Sequence, residues 1–158
     1  MSAILGRRAL IVGLGKSGQA VAELLVRLGL DVRVYDRDAA ASGVPLGAAA
    51  VLGVDEPPVE CFAGVDHVVL SPGVPPERAR ALAREHAPRA TIDGELGLAL
   101  RLVNAGAGGP WSRVPTVLVT GTNGKSTVTA LTGELVREGG QRAFVGGNLG
   151  TPLATLLV

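Results

Sequence analysis

Residues 9–36 read ALIVGLGKSGQAVAELLVRLGLDVRVYD, and this stretch decides the fold. Ala9 to Val12 is a short apolar run that ends at a glycine turn. From Gln19 to Leu28, the apolar residues Ala20, Val21, Leu24, Leu25 and Leu28 recur at helical spacing, and Gly29 ends that helix. Val32, Val34 and Tyr35 make a second strand, closed by Asp36. This is a β–α–β unit, so the expected class is α/β with a Rossmann-like parallel sheet. Between strand and helix, Gly13-Leu14-Gly15-Lys16-Ser17-Gly18 fits the pattern G-x-G-x-x-G. Gly13 permits the tight turn, Gly15 lets a phosphate approach the backbone, and Gly18 lets helix and strand pack closely. The free N–H groups and the dipole at the helix start favour an anion. Asp36 stands where an acidic side chain accepts hydrogen bonds from a ligand, which in a dinucleotide enzyme is the ribose. Alone, the stretch reads as NAD-binding. The same spacing also occurs as a ligand-free turn, so its context must carry the reading.

Working outward, His67 to Leu70 is another buried-type strand, stopped by Ser71-Pro72-Gly73. Pro76 to His86 reads as a helix with proline at its start. Thr91 and Ile92 form a brief strand, and Gly94 to Asn104 is helical, with Leu96, Ala99, Leu100 and Val103 on one side. Residues 105–112 open with the glycine-rich AGAGGP and are expected to be a linker. This division gives a substrate-binding domain over 1–104 and the start of a second α/β domain over 113–158. In the second part Thr116 to Thr120 is an expected strand, Lys125 to Glu138 a helix, Arg142 to Val145 a strand, and Thr151 begins another helix. The sequence closes on the apolar LATLLV, which leads us to expect that this second domain is truncated.

A second glycine loop, Thr120-Gly121-Thr122-Asn123-Gly124-Lys125-Ser126-Thr127, also joins an expected strand to a helix. It approaches the P-loop pattern G-x-x-x-x-G-K-[ST], except that the first glycine would fall at Val119. The backbone N–H groups from Thr122 to Ser126 can cradle phosphates. Lys125 is placed for the β- and γ-phosphates, and the Ser126 hydroxyl for Mg²⁺. A dehydrogenase does not need this loop, and a simple ATPase does not need the first one. A ligase that holds a nucleotide-linked substrate on one domain and ATP on the next needs both. The competing reading is a NAD-binding regulatory module fused to an unrelated P-loop domain.

Composition narrows the classes. Lys and Arg total 15 against 14 Asp and Glu, a net charge of +1, which argues against a nucleic-acid binder. One cysteine, Cys61, excludes an internal disulfide and fits a reducing compartment. No apolar run approaches the ~20 residues of a membrane span, so no membrane insertion is expected. A cytoplasmic location follows as the expectation. His67 and His86 lack metal-ligand spacing. Asp93 and Glu95 are expected to cap the helix that follows them.

The ordered pieces LIVGLGKSG, VYDRD, LSPGVP, DGEL, VTGTNGKSTVT and VGGNLGTPL resemble the Mur ligases over nearly the whole chain, in particular their D-glutamate-adding branch. That family's P-loop has the shorter glycine spacing, which accounts for Val119. The resemblance implies a Rossmann-like first domain that binds a UDP-sugar rather than NAD. Gly15, Lys16, Ser17 and Gly18 would hold the diphosphate, Asp36 and Arg37 would contact uracil, and Ser71, Pro72 and Gly73 would line the uridine pocket. Asn148 would lie on the muramoyl side. Asp38 stands where the family carries a basic residue. Gly121, Thr122, Asn123, Gly124, Lys125, Ser126 and Thr127 would bind ATP, with Lys125 catalytic and Ser126 on the metal. The implied reaction joins D-glutamate to UDP-N-acetylmuramoyl-L-alanine through an acyl phosphate, with ATP and Mg²⁺, in peptidoglycan precursor synthesis. A monomer is expected, one that binds the UDP-substrate but does not turn over alone.

Overall fold

The computed structural model describes residues 5–107, 109–147 and 150–158. Five strands form one parallel sheet: β1 (Arg8–Val12), β2 (Asp31–Asp36), β3 (Ala48–Leu52), β4 (His67–Leu70) and β5 (Thr91–Gly94). Their spatial order is β3-β2-β1-β4-β5. In the register, Ile11 stands beside both Val34 and Val69, and Val34 beside Ala50.

Alternation along the strands divides the core in two. Ala9, Ile11, Val32, Val34 and Val69 face helices α1 (Lys16–Arg27) and α3 (Glu95–Asn104). Leu10, Val12, Tyr35, Val68 and Leu70 face helix α2 (Pro76–His86) and the 3₁₀ turn Val59–Phe62. Both faces of the sheet are therefore apolar, as a parallel sheet covered on two sides requires. Helix α1 buries Val21, Leu24 and Leu25 and turns Glu23 and Arg27 to solvent. Strand order reverses between β1 and β4. In such sheets a crevice opens there, beyond the carboxyl ends of the strands.

The β4 and α2 expectations hold at the stated bounds, as does the helix Lys125–Glu138, here α4. Helix α1 begins earlier than its apolar spacing suggested, because Lys16 and Ser17 form a polar first turn. The strands expected at Thr116–Thr120 and Arg142–Val145 are not formed. Both segments are irregular, with Val117 and Leu118 exposed, because neither has a ladder partner among the described residues. Helix α4 likewise leaves Val128, Leu131 and Leu135 exposed along one stripe.

Within the expected linker, residues 105–107 fold back on the preceding helix, with Ala107 N donating to Leu102 O at 2.8 Å. Arg113 N donates to Val103 O at 2.8 Å, and Gly109–Trp111 is a 3₁₀ turn. The helix expected from Thr151 begins after Pro152 as a single turn, α5 (Leu153–Leu156). Although it follows the second glycine loop in sequence, α5 packs on α1 and α3, and Ala154 is wholly buried in their core. No described helix is long and apolar enough to cross a membrane.

Candidate functional site

The crevice at the β1/β4 reversal is a cleft of about 530 Å³. Gly13, at φ +95°, turns the chain out of β1, and its N–H donates to Tyr35 O at 2.8 Å. A Cβ there would also strike Val74 and Ser71, so only glycine fits. A Cβ on Gly18 would fall 3.0 Å from the carbonyl carbon of Gly13 and well inside contact distance of its oxygen, so this glycine serves the packing of α1 on β1. Gly15 differs from both. Its backbone is extended at φ −67°, and a Cβ would meet only Ser71 Oγ, at 3.7 Å. Neither backbone nor packing demands glycine at that position; what a side chain would fill is the open cleft.

Asp36 closes the loop from the other side. Its Oδ2 accepts from Leu14 N at 2.6 Å and its Oδ1 from Asp38 N at 2.9 Å. The carboxylate thus fixes the glycine loop as well as facing the cleft. Gln19 Nε2 donates to Leu14 O and Ser42 O, each at 3.0 Å, tying the loop to the segment after β2. No side chain caps α1, which leaves its first N–H groups directed at the cleft.

The structure brings together Gly15, Lys16, Ser17, Asp36, Arg37, Ser71, Pro72 and Gly73 as lining residues. Gly18 sits behind them, and Asn148 lies outside the described residues. Sequence reasoning missed Tyr35, Asp55, Glu56, Pro57, Arg78, Ala79 and Leu82, which form the far part of the cleft. Tyr35 was within reach of a sequence reading, since it alternates with Val34 to the other sheet face. The remainder come from the loop that follows β3, a strand with no sequence signal of its own, and from the inner face of α2.

In the second glycine loop, Gly121 and Gly124 have φ +148° and +76°. Gly124 is the N-cap of the 14-residue α4, again with no side-chain cap. Lys125 Nζ curls back to donate to Gly121 O, and to Thr122 O at 3.1 Å. Gly121, Thr122, Asn123, Ser126 and Thr127 are exposed. Two carbonyl acceptors on the ammonium, open N–H groups at a helix start and no Cβ at Gly124 fit a polyphosphate that would replace those carbonyls as the partner of Lys125. Among the described residues no three His, Cys, Asp or Glu side chains are grouped to hold a metal.

Lys125 and Ser126 line a further cleft of about 420 Å³ together with Gly94, Glu95 and Phe144. Ser17 and Pro72 are walls of both this cleft and the first, so the two glycine loops open into adjoining space.

The acidic pair expected to cap α3 does other work. Glu95 is buried, and its Oε1 accepts from Ala154 N at 2.6 Å, holding α5 against the sheet domain. Burial pushes its carboxyl up, and the N–H groups of Ala154 and Leu153 pull it back down. Asp93 pairs with Arg101 and lies 3.0 Å from His67 Nε2, at an angle that leaves the ring nitrogen without a formed hydrogen bond. Desolvation lowers the His67 pKa against the pull of Asp93, which keeps the ring neutral and structural. Cys61 is free and buried, with its thiol pushed up by desolvation.

Residues 7–92 match the family Mur ligase MurD-like, N-terminal domain. The UDP-N-acetylmuramoylalanine–D-glutamate ligase of Geobacter metallireducens is 45% identical over 98% of this chain, which covers 33% of that protein. The enzyme of the same name from Anaeromyxobacter dehalogenans is 45% identical over 97% of the chain, covering 32% of its length. The chain therefore spans about a third of the length of the curated relatives it matches. Among solved structures, a pseudomurein peptide ligase type C from Methanothermus fervidus aligns over 97% of this chain and 31% of its own, with a TM-score of 0.57 at 19% identity, a likeness of fold. With the glycine-loop crevice, the SPGV turn and the GTNGKST loop in one short chain, this match over 7–92 shows that the chain belongs to the Mur ligase family, in its MurD-like branch.

Proposed function

We propose that this chain supplies the UDP-substrate cleft and the ATP loop of a ligase that adds D-glutamate to UDP-N-acetylmuramoyl-L-alanine in peptidoglycan precursor synthesis. The observation that carries the reading is the shared wall of Ser17 and Pro72. A nucleotide-linked substrate anchored by its diphosphate at Gly15–Ser17 would run past that wall and bring its far end toward Lys125. Positioning of this kind supplies most of the catalysis in phosphoryl transfer.

The residues divide the work. The N–H groups at the start of α1 and the Lys16 ammonium bind the diphosphate. Asp36, already fixed by Leu14 N, and Arg37 face the nucleoside. Ser71, Pro72 and Gly73 close the opposite side. In the second loop, Lys125 leaves its carbonyl partners to hold the β- and γ-phosphates, and Ser126 offers its hydroxyl to the metal. Bound ATP with Mg²⁺ would supply the phosphoryl group that activates the alanine carboxylate for attack by the amine of D-glutamate.

Amide chemical shifts of the isotope-labelled chain test the reading. UDP-N-acetylmuramoyl-L-alanine should perturb Gly15–Ser17 and Ser71–Gly73, and Mg-ATP should perturb Gly121–Thr127. Perturbation of Gly121–Thr127 by both ligands, with Gly15–Ser17 silent, would sink the two-site arrangement.

A further inference from the structure

We propose that Glu56 and Arg78 form a strap that closes the nucleoside end of the cleft, so that both are positioning residues for the nucleoside rather than phosphate ligands. The inference rests on reading the cleft as a UDP-substrate site. Gly15 and Lys16 mark the anion end. Passing Asp36, the wall becomes the loop after β3, where Glu56 lies, and across the cleft stands α2 with Arg78. The loop's inner side is tied to the sheet, since Gly53 N donates to Asp36 O at 3.0 Å and the Tyr35 hydroxyl to Val54 O at 2.8 Å. Its outer side is tied to α2 by a two-bond fork: Arg78 Nε donates to Glu56 Oε1 at 2.8 Å, and Nη2 to Oε2 at 2.9 Å. The pair therefore bridges opposite walls of one cleft, from residues 22 apart in sequence.

The charges explain why this is a strap. Arg78 commits its fork to a carboxylate, while Lys16 and Arg37 line the same cleft with no ion pair among the described residues. Those two cations are the ones open to a phosphate. The strap is also weak enough to open. The two side chains are 67% and 49% exposed, and an exposed pair of this kind changes an equilibrium by only about two- to five-fold. Such a contact releases a loop readily and still favours the closed form when a base and ribose fill the space behind it.

The test compares uridine, which has no phosphate, with UDP. Affinities come from NMR titration for the first and calorimetry for the second, on the unaltered chain, Glu56→Gln, Arg78→Gln and the exchange Glu56→Arg with Arg78→Glu. The strap requires each single change to weaken uridine and UDP by the same factor, about two- to five-fold, and the exchange to restore both. A loss confined to UDP in Arg78→Gln, with tighter UDP binding in Glu56→Gln, would make Arg78 a phosphate ligand and overturn the proposal. Unchanged affinities in both single variants would overturn it too. Failure of the unaltered chain to bind either ligand would remove the nucleotide reading itself, and the strap with it.

Discussion

Alanine at Gly15 and alanine at Gly18 should separate binding from folding within a single motif. At Gly18 the new methyl meets the Gly13 peptide, 3.0 Å from its carbonyl carbon and 3.5 Å from Ile11 Cγ2. Backbone cannot rotate away as a side chain can, so the cost lies toward the upper end of the ~1–3 kcal/mol typical of overpacking. The better helix propensity of alanine offsets about 1 kcal/mol of that. The net loss of about 2 kcal/mol should lower the melting temperature by roughly 4–8 °C for a chain of this size. At Gly15 the methyl enters open space at an ordinary φ. Alanine there restricts the unfolded chain, worth about 0.4–1 kcal/mol. Alanine is also a poorer N-cap than glycine by a similar amount, so the net change should be about 0.5 kcal/mol or less. UDP affinity should nevertheless fall about tenfold or more, because the methyl occupies the approach of the phosphate. Thermal melts and calorimetric titration of both variants give the readout. Loss of stability in Gly15→Ala with UDP affinity intact, or a Gly18→Ala chain that melts like the parent, would refute this division of roles.

Other outcomes follow from the buried polar groups and the second loop. Glu95→Ala strands the buried Ala154 N–H and should cost about 1–3 kcal/mol in urea unfolding. Because burial raises the Glu95 pKa, its contribution is full below the ordinary carboxylate range and lost as pH rises through the raised value. Glu95→Gln should lack that loss when urea midpoints are taken from about pH 4 to about pH 8. His67 has the opposite sign. Its lowered pKa means the unfolded chain binds the proton first, so stability should drop as pH falls below about 6.5, and His67→Gln should flatten that limb. Lys125→Ala should abolish Mg-ATP binding in calorimetry while changing the unfolding free energy measured in urea by no more than about 0.5 kcal/mol, since the side chain touches only loop carbonyls.

How far the sequence was legible depended on whether a segment carried its own signal. The first glycine loop was readable because strand, turn, helix and second strand are contiguous, and each has its period. His67–Leu70 and Pro76–His86 were equally plain, the first a continuous apolar run and the second opened by proline. Strand β3 was not. Ala48–Leu52 reads AAAVL at a half-exposed sheet edge, with no alternation, and only its ladder with β2 makes it a strand. Missing it also hid the loop that carries Asp55 and Glu56. The strands expected at 116–120 and 142–145 failed for the converse reason: their composition suits a sheet, but a strand is completed by a neighbour that composition does not report. The acceptor role of Glu95 toward Ala154 joins residues 59 apart, a distance at which local capping rules are silent.

Which nucleotide the first cleft accepts separates a UDP-substrate site from a dinucleotide site. Calorimetric titration of the chain with UDP, and separately with NAD, decides this, because the glycine loop alone suits either. Saturable UDP binding, weakened about tenfold or more by Gly15→Ala and undisturbed by excess NAD, is the expected result. NAD binding more tightly than UDP would contradict the account.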